Sequence, residues 1–266
     1  MKSTYVAFIG SGNLAWHLAP ALDNTEYAVR EVYSRNPAHA ELLVERLYEA
    51  EVKASLDFST SSCGIFILAV TDDALQDIVR EIVLPEGCVL VHTSGSQPLE
   101  VLRFAATSRI GVLYPLQTFT RNVNVDLNEV PFFIEGANPE TTEVLMALAH
   151  ALSDNVVKIT SPERLALHLA AVFASNFTNH MLYMAQEIMK ENSLSYDWLK
   201  PLISTMISKS LQVGPENAQT GPARRGDFET LDRHMQLLQD DEAAAELYRV
   251  ISQDIVDRYQ SEEEDQ

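Results

Sequence analysis

A strand-like run, Tyr5–Ile9, leads straight into Gly10-Ser11-Gly12-Asn13-Leu14-Ala15. Two glycines and a small sixth residue are what a dinucleotide's pyrophosphate asks of a backbone. Gly10 permits the tight turn, Gly12 lets the phosphates approach the main chain, and Ala15 lets the next helix lie close on its strand. Asn13 is expected to cap that helix, whose free N–H groups and dipole then face the anion. Glycines also make ordinary turns. Here the pattern lies between a strand and a helix and opens an alternating chain, which makes it a nucleotide site. Pro20 falls inside the predicted helix and is expected to kink or shorten it.

The end of the second strand decides which nucleotide. A site for NAD places an acid there to hold the ribose hydroxyls. In this chain Val29–Tyr33 ends in Ser34-Arg35-Asn36, and Glu31 lies too early in the strand to serve. A hydroxyl, a guanidinium and an amide suit a 2′-phosphate, so NADP is the expected cofactor. The other reading of these residues is a plain turn before a helix starting at Pro37. Further on, Val70 and Thr71 end a strand and are expected to line the nicotinamide side of the crevice. Asp72 and Asp73 read as helix caps.

Candidate chemistry lies on a long apolar-rich stretch, Glu163–Asn192, interrupted by His168, Ser175, Asn176 and Asn179. At about 100° per residue, positions 168, 172, 175, 176 and 179 share one face roughly 100° wide. His168 is a candidate proton donor to a nascent alkoxide or amine, and Asn176 a candidate ligand for a carbonyl or carboxylate. Polar residues at an interdomain or dimer interface would give the same pattern. Ser94, Gln117 and Thr118 follow strands at the edge where such sheets bind ligands, and are candidate substrate contacts. Arg224 and Arg225 stand together on a loop, Gly214–Phe228. Arg225 is a candidate clamp for a substrate carboxylate or a cofactor phosphate; pairing of an arginine with Asp227 is the alternative. The seven histidines and two cysteines have no metal-ligand spacing, so no metal is expected.

These residues need a scaffold, and the chain supplies one. Tyr5–Ile9, Ala28–Ser34, Ile65–Val70, Val89–His92, Ile110–Tyr114, Phe132–Glu135 and Val156–Ile159 read as strands, with Val52–Ala54 a weaker one. Helical spacing covers Leu14–Leu22, Pro37–Glu49, Ala74–Val83, Pro98–Ala105 and Thr141–Leu152. The alternation predicts an α/β fold, a Rossmann-type doubly wound and mostly parallel sheet. Strand signals stop at Ser161-Pro162. Beyond it Glu163–Asn192, Tyr196–Val213, Glu229–Gln239 and Asp241–Gln260 predict an all-helical C-terminal domain, ending in the acids Glu262–Asp265, a solvated tail. Domains 1–160 and 161–266 are expected.

Composition narrows the partners. Nineteen Lys+Arg against 38 Asp+Glu give a net charge of −19, and both halves are acidic. Such a surface repels phosphate backbones and anionic lipid, so neither nucleic acid nor membrane is an expected partner. The longest apolar run, Ile65–Val70, is far short of the roughly 18 residues a membrane helix needs. The opening residues have too short an apolar stretch for a signal peptide. Cys63 and Cys88 border apolar runs and read as buried free thiols. A cytoplasmic protein is expected.

With Gly10–Ala15 and Ser34-Arg35-Asn36 placed, the chain resembles the group of pyrroline-5-carboxylate reductases, deazaflavin-dependent NADP oxidoreductases and β-hydroxyacid dehydrogenases. His92-Thr93-Ser94-Gly95-Ser96, Tyr114-Pro115-Leu116-Gln117-Thr118-Phe119 and Thr220-Gly221-Pro222-Ala223-Arg224-Arg225-Gly226-Asp227 resemble, more closely, a bacterial family of NADP oxidoreductases. That family has a Rossmann-like domain followed by a helical domain of unknown function. The resemblance implies hydride transfer with NADP on a small, anionic carbonyl or imine substrate, and a homodimer formed through the helical domain. β-Hydroxyacid dehydrogenases carry a catalytic lysine four residues before an asparagine on the first long helix of the second domain. If Asn176 matches that asparagine, Val172 stands where the lysine should be, and the helix has no lysine before Lys190. Lysine-assisted oxidation of a hydroxyacid is therefore not expected. A non-catalytic NADP-binding sensor on the same fold is the alternative.

Overall fold

Alternate residues of the first strand serve two different cores. In the computed structural model, which describes residues 4–260, Val6 and Phe8 join one apolar cluster and Ala7 and Ile9 another. All four are fully buried. A strand points successive side chains to opposite faces, so an unbroken apolar run means a sheet covered on both sides. Each such large side chain contributes roughly 1.5–3 kcal/mol by leaving water.

The first unit runs β1 (Thr4–Ile9), α1 (Asn13–Asp23), β2 (Tyr27–Tyr33), α2 (Pro37–Val44), β3 (Glu51–Lys53), β4 (Ile65–Leu68), α3 (Asp72–Glu81), β5 (Val89–His92), β6 (Ile110–Pro115), β7 (Phe132–Gly136), α4 (Pro139–His150), β8 (Val156–Lys158) and α5 (Ser161–Ala171). The strands form one sheet in the order β3-β2-β1-β4-β5-β6-β7-β8. The order reverses between β1 and β4, the point where such sheets open a ligand crevice. Only β6 and β7 pair antiparallel. The reason is the connection: residues 116–131 turn back without a crossover helix, so β7 runs down beside β6. Helix α4 then makes a crossover, and β8 lies parallel to β7.

The helix α1 runs through Pro20 to Asp23, so the proline does not cut it short. Proline has no N–H for the carbonyl of Trp16, four residues back. The Arg46 guanidinium donates to that carbonyl instead. Helix α2 ends at Val44, earlier than the spacing predicts; the next residues turn so that the Tyr48 N–H reaches the Asp23 carboxylate at 2.7 Å. Leu99–Phe104, expected as an α-helix, is a 3-10 helix.

The stretch expected as one helix over Glu163–Asn192 is three pieces: α5, a π-helical segment Val172–Phe177, and α6 (Thr178–Glu191). Its wider turns break the regular advance of about 100° per residue. The shared face expected for positions 168 to 179 is therefore not kept. The chain divides within that segment, between Asn176 and Phe177, into two compact units. Helix α5 thus packs with the sheet, although the sequence places a boundary at 160/161.

The second unit contains α6, α7 (Lys200–Val213), a short α8 (Pro215–Ala218), α9 (Phe228–Leu237) and α10 (Glu242–Gln260). Ser193 takes a left-handed backbone, φ 58°, and the Leu194 N–H closes on the Met189 carbonyl, which ends α6. No described helix is long and apolar enough to cross a membrane. The acidic tail Glu262–Asp265 lies outside the described residues.

Candidate active site

Two groups of residues collect at the carboxyl edge of the sheet. The first is the glycine turn. Gly10 has φ 108°, and a Cβ there would lie 2.2 Å from the Ala69 carbonyl oxygen, so only glycine fits. Its N–H donates to the Tyr33 carbonyl at 2.7 Å, fastening β1 to β2. A Cβ on Gly12 would meet nothing within 4 Å, which leaves open space over the turn. Gly12, not Asn13, is the N-cap of α1, and no side chain caps it. The expected cap is corrected: Asn13 is the first helical residue, and the terminal N–H groups stay available for an anion. Leu14 and Ala15 pack inward against the core.

The Ser11 hydroxyl donates to the Ser34 hydroxyl at 2.9 Å, which ties the turn to the tip of β2. Arg35 is exposed there. Asn36 caps α2, its side chain accepting from the Ala38 N–H at 3.2 Å. Glu31 is occupied elsewhere, with the Ser61 hydroxyl and with Lys53 at 3.5 Å. These residues fit a phosphorylated dinucleotide: an open turn, an uncapped helix, and a cation where an acid would repel the 2′-phosphate. Val70 borders Gly10, and Thr71 is the N-cap of α3 with its hydroxyl uncommitted to a cap. Asp72 and Asp73 occupy the first turn, where their charge suits the helix dipole. Asp72 accepts from the Ser96 hydroxyl instead of capping.

The second group surrounds His168. The hydroxyl of Tyr114, at the end of β6, lies 3.1 Å from His168 Nδ1. Burial raises the Tyr114 pKa, so the phenol keeps its proton. The other ring nitrogen, Nε2, bonds to no described residue. Gly95 makes this approach possible: a Cβ there would lie 2.6 Å from His168 Nδ1 and 2.8 Å from Tyr114 Cζ.

One turn before His168 on α5, Arg164 is 1% exposed. It pairs with Glu135 on β7 at 3.2 Å and donates to the Gln97 carbonyl at 2.8 Å. Ser161 adds its hydroxyl to Glu135 at 2.7 Å and accepts from the Leu99 N–H at 3.1 Å. A capping box between Thr160 and Glu163 starts α5 at that point. His92 is fully buried and accepts from the Ser94 N–H at 3.1 Å. Burial, then the nearby Arg164, push its pKa down to about 3, so it is neutral.

Ser94 shapes the loop: its hydroxyl accepts from the Ser96 and Gln97 N–H groups at 3.1 and 3.0 Å. Gln117 and Thr118 are exposed and bonded to each other, 2.7 Å from Oε1 to N–H. Asn176 is exposed, and no hydrogen bond joins it to His168. Arg225 is exposed in the second unit. Its neighbour Arg224 donates to the Gln219 carbonyl and lies 4.9 Å over the Tyr259 ring. Asp227 caps α9 through Thr230 at 3.1 Å, which is its hydrogen-bond role there.

Sequence reasoning did not single out Tyr114, Gly95, Arg164 or Glu135 as site residues. An arginine in the first turn of an apolar helix, and a Tyr-Pro ending a strand, were the available signals.

Residues 2–116 match a Rossmann-like domain, and residues 130–255 match a domain of unknown function (DUF2520). A putative NADP oxidoreductase from Bacteroides fragilis is 38% identical, with a TM-score of 0.86 over 96% of this chain and 99% of that one. A protein from Thermotoga maritima is 22% identical, with a TM-score of 0.77 over 93% and 96%. A reductive aminase from Aspergillus terreus, solved with NADPH and ethyl-5-oxohexanoate, shares the fold at 15% identity, with a TM-score of 0.70 over 98% and 94%. No curated protein matches the chain.

Proposed function

Since the chain belongs to the family of the Bacteroides fragilis protein, a Rossmann-like domain followed by a domain of unknown function (DUF2520), we propose that it is an NADP(H)-dependent oxidoreductase. The observation that carries this reading is the glycine turn itself, open above Gly12 and bonded through Ser11 to Ser34 beside an exposed Arg35. The substrate is a small, anionic carbonyl or imine compound. When bound, NADPH supplies the hydride. The chain's own residues orient the substrate and deliver the proton. Tyr114 engages His168 at Nδ1 and so leaves Nε2 to face the substrate's oxygen or nitrogen as the proton donor, the ring keeping its second proton at Nδ1 against the Tyr114 oxygen. Gly95 and the Arg164–Glu135 pair keep both rings in place. Asn176, Ser94, Gln117, Thr118 and Arg225 stay proposed contacts of lower standing, since Ser94 and Gln117 already spend hydrogen bonds on their own loops. The active form is a cytoplasmic homodimer joined through the helical unit.

The test has two stages. NADPH should bind at least about tenfold tighter than NADH, a gap of roughly 1.4 kcal/mol, and Arg35→Ala should remove most of it. Equal binding by the wild type sinks the cofactor assignment. NADPH oxidation is then followed across a panel of keto acids and imines. His168→Gln should cut turnover about 10²–10⁴-fold with NADPH affinity nearly unchanged. A lowered melting temperature with little loss of rate would mark His168 as structural. Binding without turnover on any substrate favours the sensor reading, which the Val172 position also suits.

A further inference from the structure

The segment that follows β6 carries Gln117 and Thr118 and then turns toward the glycine turn. Its later residues lie along α1. His17 Nε2 and the Thr120 carbonyl are 3.0 Å apart, and the His17 ring packs on Phe119 with centroids 5.6 Å apart. The next residue is Arg121. Its Nη2 donates to the Ser11 carbonyl at 2.8 Å, and its guanidinium lies 4.8 Å from the Trp16 ring centroid. Residues more than a hundred positions apart in sequence are thus fastened together at the second residue of the glycine turn.

We infer that Arg121 is a phosphate ligand of the dinucleotide, brought to the turn by the segment between β6 and β7; this rests on the cofactor reading above. The chain holds 38 acids against 19 bases, yet no described carboxylate pairs with Arg121. Arg30, Arg109 and Arg164 find one, whereas Arg35, Arg46, Arg80 and Arg103 have no described carboxylate partner either; what sets Arg121 apart is its bond at the glycine turn. A carbonyl engages one N–H of the guanidinium and neutralises none of its charge. The remaining N–H groups form the planar fork that matches two phosphate oxygens at once. The Trp16 ring, which Arg46 also approaches at 4.3 Å, packs against the Arg121 guanidinium without supplying an anion. The Ser11 hydroxyl is bonded to Ser34 and its carbonyl to Arg121, so Ser11 joins the Arg35 corner to a second cation. A pyrophosphate over an uncapped helix start and a 2′-phosphate at the tip of β2 are the anions within that chemistry.

The test is a titration of the full chain with NADPH and with NADH, for the wild type, Arg121→Gln and Arg121→Lys. Arg121→Gln should bind about tenfold more weakly. A loss for both nucleotides assigns the pyrophosphate; a loss for NADPH alone assigns the 2′-phosphate; both support the inference. Arg121→Lys keeps the charge and loses the fork, and should fall between. If Arg121→Gln proves unfolded by melting, the lysine variant decides alone. Wild-type affinity in the folded variants overturns the inference and marks Arg121 as an anchor for the segment. A wild type that binds neither nucleotide overturns the cofactor reading together with it, whereas a wild type that binds while the variants match it overturns this inference only.

Discussion

The sheet unit buries most of its large apolar residues, and the helical unit leaves nearly all of its own half-buried or exposed. Val6, Phe8, Phe66, Ile67, Leu90 and Phe132 are each 0% exposed. Among the described residues after Asn176, only Ala223 and Ala244 are buried apolar side chains. Trp198 is 68% exposed, Leu202 66%, Leu211 84% and Leu237 83%. The helical unit also carries a partly open apolar pocket of about 360 Å³ lined by Met181, Met184, Ile188, Leu231, Leu247 and Ile255, among others. Hydrophobic content alone therefore does not make a self-sufficient core. Large exposed apolar patches mark surfaces that another molecule covers, and the homodimer proposed above would supply that cover.

The largest expected effect lies in the sheet unit. Phe66→Ala should lower the unfolding free energy by about 3–5 kcal/mol in urea, equally at every protein concentration. A loss that varied with concentration would break the contrast, because it would tie the sheet core to assembly.

The second effect depends on pH. His92 sits in the folded sheet unit with a pKa pushed down to about 3 from an ordinary 6.5. Between those values the unfolded chain binds a proton that the folded chain refuses. The stability is complete above about pH 6.5 and is lost as pH falls toward 3, by up to about 1.4 kcal/mol per pH unit. Unfolding free energies of the wild type and His92→Gln, compared from pH 7 to pH 4, should converge in acid. Parallel curves would mean that His92 is protonated in the fold.

The smallest effect on stability, and the one most specific to the helical unit, comes from Leu211. Leu211→Ser should change the unfolding free energy of dilute protein by no more than about 0.5 kcal/mol, as a surface change does. It should weaken self-association about tenfold by sedimentation if the residue is covered in the dimer. A wild type that sediments as a monomer at micromolar concentration removes the proposed cover.

The same contrast explains what could be read from the sequence. Val89–His92 was legible to the residue, and the other strands to within a residue or two, because a doubly covered sheet writes short apolar runs. The glycine turn was legible because its geometry tolerates few residue types. The helix through Val172–Phe177 was not: a π-helical segment has no signature in apolar spacing, and assuming 100° per residue placed Asn176 beside His168. Tyr114, Gly95 and Arg164 went unassigned for a different reason. Tyr114 meets His168 across 54 residues of chain and Arg164 meets Glu135 across 29, and such contacts leave no periodicity. Arg46 shows the same limit, since its bond to Trp16 offsets a proline that local rules treat as a breaker.

The crowding at Gly95 has a consequence for how this sequence can drift. A methyl group at 95 would collide with two rings at once, at 2.6 and 2.8 Å. A ring that yielded would give up the 3.1 Å contact the two share. Positions 95, 114 and 168 should accordingly vary as a set in natural relatives. A larger residue at 95 should appear only where a smaller side chain has replaced the tyrosine or the histidine. Gly12, with empty space above it, is under no such steric tie to another side chain, and any constraint on it must come from a ligand.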